Sequence, residues 1–420
     1  MTLLTDKLRD QPIIYVTHDI ERALGLSLNT SGYHIITNST PFGKTVAKNN
    51  PNVLLIESNE LLDTHELLTS PETIEFIKKL KNPRILVFKN TKVIEKICAE
   101  HKWKLLNPSA ELAQKVEDKI SQIEWLGDLA RFLPEHEILV LKDVIFAETP
   151  FILQFNKSHT GHGTILIDRE KKLTDLKIRF PDRPVRVTKY LEGIILTTNN
   201  VVTKDDILVG NINYQITGLA PFTDEPFATV GNDFSLANQS LSEKQKKQYA
   251  EIVSTIGKKL RANGWKGLFG IDVLLEKTSG KLFLIEINAR QPAGTTFEAK
   301  LQEAKINIQT ESGQKIEKAI TTFQAHLMSL LDLDLSDKKL IEINNGAQII
   351  LRNQNGLLWN KNELESISEK LITEKFNVIP YTNIAQGSDL LRIQSERGIM
   401  KNDGEFNDVG EKLLSALGVR

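Results

Sequence analysis

The sequence predicts a fold that opens as α/β and continues as α+β. Three observations carry this. Over the first 110 residues, short apolar runs alternate with helix-length segments, the pattern of a parallel sheet covered on both faces. Beyond residue 135, strand-like runs take over. Between them lie amphipathic stripes at three- and four-residue spacing.

Taken in order, Pro12–Val16, Tyr33–Ile36, Val53–Ile56 and Arg84–Phe88 read as buried strands, with Pro71–Leu80 a connecting helix. Leu112, Val116, Ile120, Ile123 and Leu126 predict one continuous helix that stops near Pro134. Phe151–Phe155, Thr164–Ile167 and Val185–Thr188 are strands. A helix opens at Ser242, where Gln245 completes a capping box. It carries Tyr249, Val253, Ile256 and Leu260 on one face and stops at Gly264. Strands over 268–276 and 281–288 follow, then a helix over 313–332. Asp332–Asp337 reads as a junction before a tail with a strand at Ala347–Leu351. The expected division is 1–110, 111–335 with a small lobe over about 135–190, and 336–420.

Composition narrows the function. The 420 residues correspond to about three domains at ~150 residues each. Lys and Arg number 53 against 54 Asp and Glu, a net charge of -1, so no nucleic-acid partner is expected. Cys98 is the single cysteine, which excludes an internal disulfide framework and a multi-thiolate zinc site; its expected role is that of an inert buried thiol. No stretch has the ~18 apolar residues of a membrane span, and Met1–Lys7 lacks the plan of a signal peptide. The expectation is a cytoplasmic protein without a membrane partner. The oligomeric state stays open.

The strongest constellation lies between Gly270 and Arg290. Thr278-Ser279-Gly280 predicts a three-residue hairpin loop with Gly280 left-handed. With Lys277 opposite Lys281, Leu274 falls opposite Leu284 and Asp272 opposite Glu286. Facing carboxylates repel, and a cation relieves that cost. Asp272, Glu286 and Asn288 offer hard oxygen ligands suited to Mg²⁺, with Mn²⁺ as the alternative ion. Arg290 continues that face toward a phosphoryl group.

Asp272, Glu286-x-Asn288 and Arg290 resemble the metal and phosphate motif of ATP-grasp enzymes. The resemblance implies that the acidic pair and the Asn bind Mg²⁺ bridging the phosphates of ATP, and that Arg290 supports an acyl-phosphate intermediate. It further implies a Rossmann-like pre-ATP-grasp N-terminal domain, an ATP-grasp fold of two α+β lobes and a small α+β C-terminal region. Glu117-Asp118-Lys119 resembles the family's Asp-Lys, which puts Lys119 on ATP phosphate. The stretch Phe151–Ile165 resembles the strand, glycine-rich loop and strand that close over the triphosphate, with Gly161 and Gly163 in the loop. The family's second ATP lysine is replaced here by Gln154, and Lys157 is the candidate substitute. His159 and His162 in the same loop are candidate phosphate or substrate contacts. Val185–Gly193 resembles the adenine hinge, giving Lys189, Tyr190 and Leu191 as nucleotide contacts. Ile195 stands where an acidic ribose ligand is often found. Gln291–Glu298 either lines the substrate pocket or is a polar loop leading into a helix.

The chemistry so implied is activation of a carboxylate by ATP and its capture by an amine, with small-molecule carboxylate and amine substrates. The layout is also similar to biotin carboxylase, but that enzyme places a catalytic Glu four residues past the Arg, where this sequence has Gly294. Two other readings stay open. Gln154 and Ile195 fit a non-catalytic nucleotide-binding protein. Gly43-Lys44-Thr45 fits a P-loop phosphotransferase, although Asn38 stands where that motif needs glycine.

Overall fold

The computed structural model describes residues 2–156, 163–311, 318–354, 359–381 and 384–418. Five parallel strands form the first sheet, in the order Val53–Ile56, Tyr33–Asn38, Ile13–Val16, Arg84–Val87, Lys104–Leu105. Its central strand is buried at every position, so both faces demand apolar side chains and the run shows no alternation. Tyr15 and Tyr33 from this sheet pack edge-on against Phe323 of the helix Thr322–Leu330. Gly43–Thr45 falls within the helix Pro41–Ala47, and Lys44 pairs with Glu57 at an exposed position. Cys98 is buried, which pushes its thiol up to about 11.

A four-stranded antiparallel sheet comes next, in the order His136–Val140, Pro184–Lys189, Phe151–Phe155, Thr164–Ile167. It has its own apolar core, which includes Leu153, Leu173 and Val185. Among the described residues, nine strands build the largest sheet. Its path runs Leu282–Asn288, Gly267–Glu276, Gly193–Val202, Asn213–Thr217, Thr229–Asp233, Ala347–Arg352, Asp389–Ser395, Asn377–Pro380. The short strand Ile207–Leu208 pairs beside Gly193–Val202. The C-terminal strands thus continue the sheet that carries the Asp272–Glu286 hairpin, and Ile393 and Leu413 share one core with Tyr249 and Ile271. The helix Glu243–Ala262 has the expected capping box at Ser242 and Gln245, and ends before Gly264 at φ 86°. No helix among the described residues is long and apolar enough to cross a membrane.

Three expectations are corrected. The stripe from Leu112 to Leu126 is two helices, Ala110–Glu117 and Ser121–Leu126. Asp118 turns extended between them, and Asn156 holds the break by accepting from the amides of Lys119 and Ile120. The helix expected over 313–332 is instead a short strand, Ala319–Ile320, followed by Thr322–Leu330, with residues 312–317 outside the described set. The helix that the stretch after Arg290 was expected to lead into spans Thr295–Glu311. Finally, the hairpin loop is one residue longer than expected. Glu276 bonds Lys281, Leu274 faces Phe283, and Gly280 sits at φ 67°. A bulge beside Asp272 shifts the register back by one, so Asp272 still faces Glu286.

His326 ties the helix Thr322–Leu330 to the sheet by accepting from the amide of Leu268 through Nδ1 at 3.0 Å. Burial lowers its pKa to about 3, so the folded ring stays neutral while the unfolded ring protonates below about 6.5. The unfolded state then binds more protons, and stability falls with pH by up to about 1.4 kcal/mol per unit below that value. Urea midpoints measured from pH 7 to pH 4 should therefore drop, and His326→Asn should flatten the drop while keeping an acceptor for Leu268.

Candidate active site

The break after Glu117 brings Lys119 into a cavity of about 390 Å³ between the four-stranded and nine-stranded sheets. Its ammonium lies 2.8 Å from Oε1 of Glu286. Glu286 and Asp272 face each other on neighbouring strands, as expected. Asn288, two residues on, donates through Nδ2 to Oδ2 of Asp272 at 3.3 Å, which leaves its carbonyl oxygen free of that bond. Asp272 is buried. Burial and the neighbouring Glu286 charge push its carboxyl up to about 6. Glu286 is also pushed up by desolvation, but Lys119, with help from Arg290 and Arg186, more than offsets this and holds it below the usual carboxylate range. One proton-poor and one proton-prone carboxylate thus share a face.

Arg290 lines the same cavity. Its Nε is 3.2 Å from Glu117, and Lys89 closes on the other oxygen of Glu117 at 2.8 Å. Glu117 is thereby an anchor for Arg290, a role its position beside the Asp-Lys pair did not announce. The following loop is pinned to the first sheet through Gln291. Its amide bonds Phe88 O at 3.0 Å, its Oε1 accepts from the Tyr15 hydroxyl at 2.6 Å, and its Nε2 donates to Arg22 O at 2.8 Å. The loop then lays Pro292, Ala293 and Gly294 along the cavity wall. Thr295 does not offer its hydroxyl to the cavity; it bonds Pro292 O at 2.9 Å.

Gln154 lines the cavity and lies directly opposite Arg186 on the neighbouring strand. Its Oε1 accepts from Nε and Nη2 of Arg186 at 2.9 and 2.5 Å. Gln122 accepts from Nη1 at 3.4 Å. Arg186 is buried, and burial lowers its pKa to about 10. Its hydrogen-bonding partners are neutral carboxamides, so its charge faces the cavity without a bonded carboxylate. A cation thus stands one strand across from where the expected lysine is missing. The sequence held half of this signal. Val185-Arg186-Val187-Thr188 alternates, which puts Arg186 and Thr188 on the face opposite the core, but the pairing with Gln154 depends on register.

Lys189, Tyr190 and Leu191 line the cavity at its hinge side, with Ile195 nearby. Gly163 accepts from the Phe155 amide at 3.1 Å. Lys157, His159, Gly161 and His162 lie outside the described residues. No group of three or more His, Cys, Asp or Glu gathers among the described residues. The oxygen donors at this site are two carboxylates and one carboxamide, a set that fits a metal shared with phosphates.

Residues 116–294 match the family model of the ATP-grasp domain. Solved structures agree in fold. N5-carboxyaminoimidazole synthase from Aspergillus clavatus, in complex with ADP and 5-aminoimidazole ribonucleotide, superposes with a TM-score of 0.65 at 15% identity, covering 98% of this chain and 99% of that one. L-amino acid ligase from Bacillus licheniformis gives 0.60 at 12% identity, covering 93% and 94%. Among curated proteins, the butirosin acyl-carrier protein–L-glutamate ligase of Niallia circulans is 29% identical over 145 residues, 33% of this chain and 32% of that protein. The match therefore spans about a third of the length of the curated relative.

The arrangement predicts that Arg186→Gln weakens ADP binding by about tenfold or more, the loss of one charge-assisted phosphate contact. Adding Gln154→Lys should recover part of the loss. Isothermal titration calorimetry with ADP checks both.

Proposed function

We propose that this chain is an ATP- and Mg²⁺-dependent ligase that activates a carboxylate as an acyl phosphate and joins it to an amine, releasing ADP and phosphate. The observation that carries the reading is the facing pair Asp272 and Glu286, with Asn288 and Arg290, in a cavity whose other wall supplies Arg186 and the hinge. In this reading the hinge residues Lys189, Tyr190 and Leu191 hold the base, and Arg186 and Lys119 hold phosphate oxygens. Lys119 exchanges Glu286 for the nucleotide when it binds. Asp272, Glu286 and Asn288 would hold Mg²⁺, whose contribution is to neutralise charge on the β- and γ-phosphates. Lys157, Gly161 and Gly163 belong to the loop assigned to the triphosphate.

In the first step, a carboxylate oxygen of the substrate attacks the γ-phosphorus. The bond from that phosphorus to the β-bridging oxygen breaks, and ADP leaves with the electron pair. In the second step, the amine nitrogen attacks the acyl carbon. The C–N bond forms, the C–O bond to phosphate breaks, and the proton lost from nitrogen departs with the phosphate. Arg290, held by Glu117, stabilises the negative charge on the acyl phosphate and on its tetrahedral successor. Arg186 supplies the phosphate charge that Gln154 lacks, so the replaced lysine no longer favours a non-catalytic role.

A screen of carboxylate and amine pairs for phosphate release, with mass detection of product, tests the activity. Asp272→Asn combined with Glu286→Gln should abolish ADP formation by a pair that the unaltered protein joins. Retained turnover would sink the assignment of the acidic pair.

A further inference from the structure

Arg290 is aimed from outside the cavity that it lines. Neither Glu117 nor the Lys89 behind it is among the described residues lining that cavity. Nε of Arg290 lies 3.2 Å from Oε1 of Glu117, and Nζ of Lys89 lies 2.8 Å from Oε2. That Oε1 is buried and accepts no hydrogen bond, so the Arg290 contact is an ion pair without hydrogen-bond geometry. A guanidinium held at Nε keeps donors to spare, since it carries five N–H groups. Glu117 is also the last residue of the helix Ala110–Glu117, where the helix dipole disfavours a negative charge. Two nearby cations offset that.

Sharing a carboxylate in this way sets Glu117 apart from the acids beside other arginines of the cavity. Asp389 lies 3.0 Å from Arg352, and Glu21 stands 3.9 Å from Arg392. Glu117 carries two cations. Arg290 and Glu117 by themselves would be neutral, with little pull on a phosphoryl anion. With Lys89 the group has one positive charge in excess. All three side chains are shielded, with 26% of Lys89, 9% of Glu117 and 26% of Arg290 exposed, so salt screens that excess only weakly.

The N-terminal sheet fixes Lys89 in place. Lys89 follows the strand Arg84–Val87, whose neighbour is the central strand Ile13–Val16. The next strand in the chain after Ile13–Val16 lies on the opposite side of it, so these two strand ends flank the switch point where open α/β sheets take ligands. Here Gln291, the residue after Arg290, fills that crevice through its bonds to Phe88, Tyr15 and Arg22. The Arg22 guanidinium and the His18 ring pack on the Phe88 ring at 4.5 and 5.2 Å. On the other side of Lys89, Asn90 donates to Oε1 of Glu95 and to the Pro108 carbonyl, each at 2.9 Å. The same Glu95 oxygen accepts at 2.7 Å from the amide of Ala110, which opens the helix ending in Glu117. Lys89 and Glu117 thus belong to one braced frame.

We propose that Lys89 is a positioning residue for Arg290. It takes up the charge of Glu117, so that Glu117 aims the guanidinium without cancelling its attraction for the transferred phosphoryl group. The switch point of the N-terminal sheet serves as the mount for Arg290. This assignment rests on the ligase reading above for the phosphoryl group that Arg290 meets.

The test titrates the intact protein and its variants by calorimetry, in Mg²⁺, with ADP and with the β,γ-imido analogue of ATP. The analogue adds the γ-phosphoryl group, and ADP controls for folding. Lys89→Met should bind the analogue about tenfold more weakly, the scale of one lost charge-assisted contact, and bind ADP about as well as the unaltered protein does. Lys89→Arg should restore the affinity for the analogue. Adding Glu117→Gln to Lys89→Met should recover it too, because losing the carboxylate returns the excess positive charge. A bracing role alone predicts a further loss in that double variant. Equal losses for ADP and the analogue, or a double variant that binds the analogue no better than Lys89→Met, would overturn the proposal. With a substrate pair that the protein joins, Glu117→Gln should lower kcat without raising KM for ATP, since the charge stays and the aim is lost. A raised KM with unchanged kcat would also overturn it. Rescue in the double variant without ADP formation from any substrate pair would keep the role of Lys89 and remove the ligase reading. ADP formation without rescue would do the reverse.

Discussion

Two carboxylates held face to face across a β-ladder are the constraint around which this molecule is arranged. Asp272 and Glu286 would repel each other in the absence of a cation, and Lys119 supplies one at 2.8 Å. To deliver that ammonium, the chain interrupts a helix at Asp118 and pins the break with Asn156. To keep the carboxylates opposed, the hairpin adds a loop residue and removes its effect with a bulge. Each device is costly by itself. A broken helix gives up backbone bonds, and a bulge leaves a ladder position unpaired. Both become reasonable once the cavity is the product.

The charges around that pair are arranged in graded fashion. Arg290 is held by Glu117, which Lys89 anchors in turn, and Arg352 is paired with Asp389. Arg186 is held only by neutral amides. Arg392 stands short of contact with its carboxylate. A fully paired guanidinium contributes orientation, whereas an unpaired buried one pays a desolvation cost that a bound anion recovers. The two incompletely paired groups line the same cavity from different sheets, Arg186 on the four-stranded sheet and Arg392 on the C-terminal strands.

Much of this was legible in the sequence, for stated reasons. The strand and helix periods identify most elements, and the acidic pair, Asn288 and Arg290 share one face by strand alternation. A three-residue loop predicts Asp272 opposite Glu286, whereas the molecule arrives at the same pairing with a longer loop and a bulge that cancel. What stayed hidden depends on register between distant strands. Arg186 opposite Gln154 spans 32 residues, and the bond from Gln348 to Asn232 spans 116. No local spacing encodes such neighbours. The helix break was hidden for a different reason. Ile120 and Ile123 keep the helical stripe through it, and tertiary bonds to Asn156 overrule the local pattern.

In the proposed mechanism, Lys119 keeps the place of a metal on Glu286 until nucleotide arrives. The most direct measurement is a crystal structure of the protein soaked with ADP and Mn²⁺, with anomalous scattering used to locate the ion. The expected result is an anomalous peak within about 2.3 Å of oxygens from both Asp272 and Glu286, with the Lys119 ammonium moved off Glu286 onto a phosphate oxygen. A peak elsewhere, or an intact Lys119–Glu286 pair beside bound ADP, would contradict it.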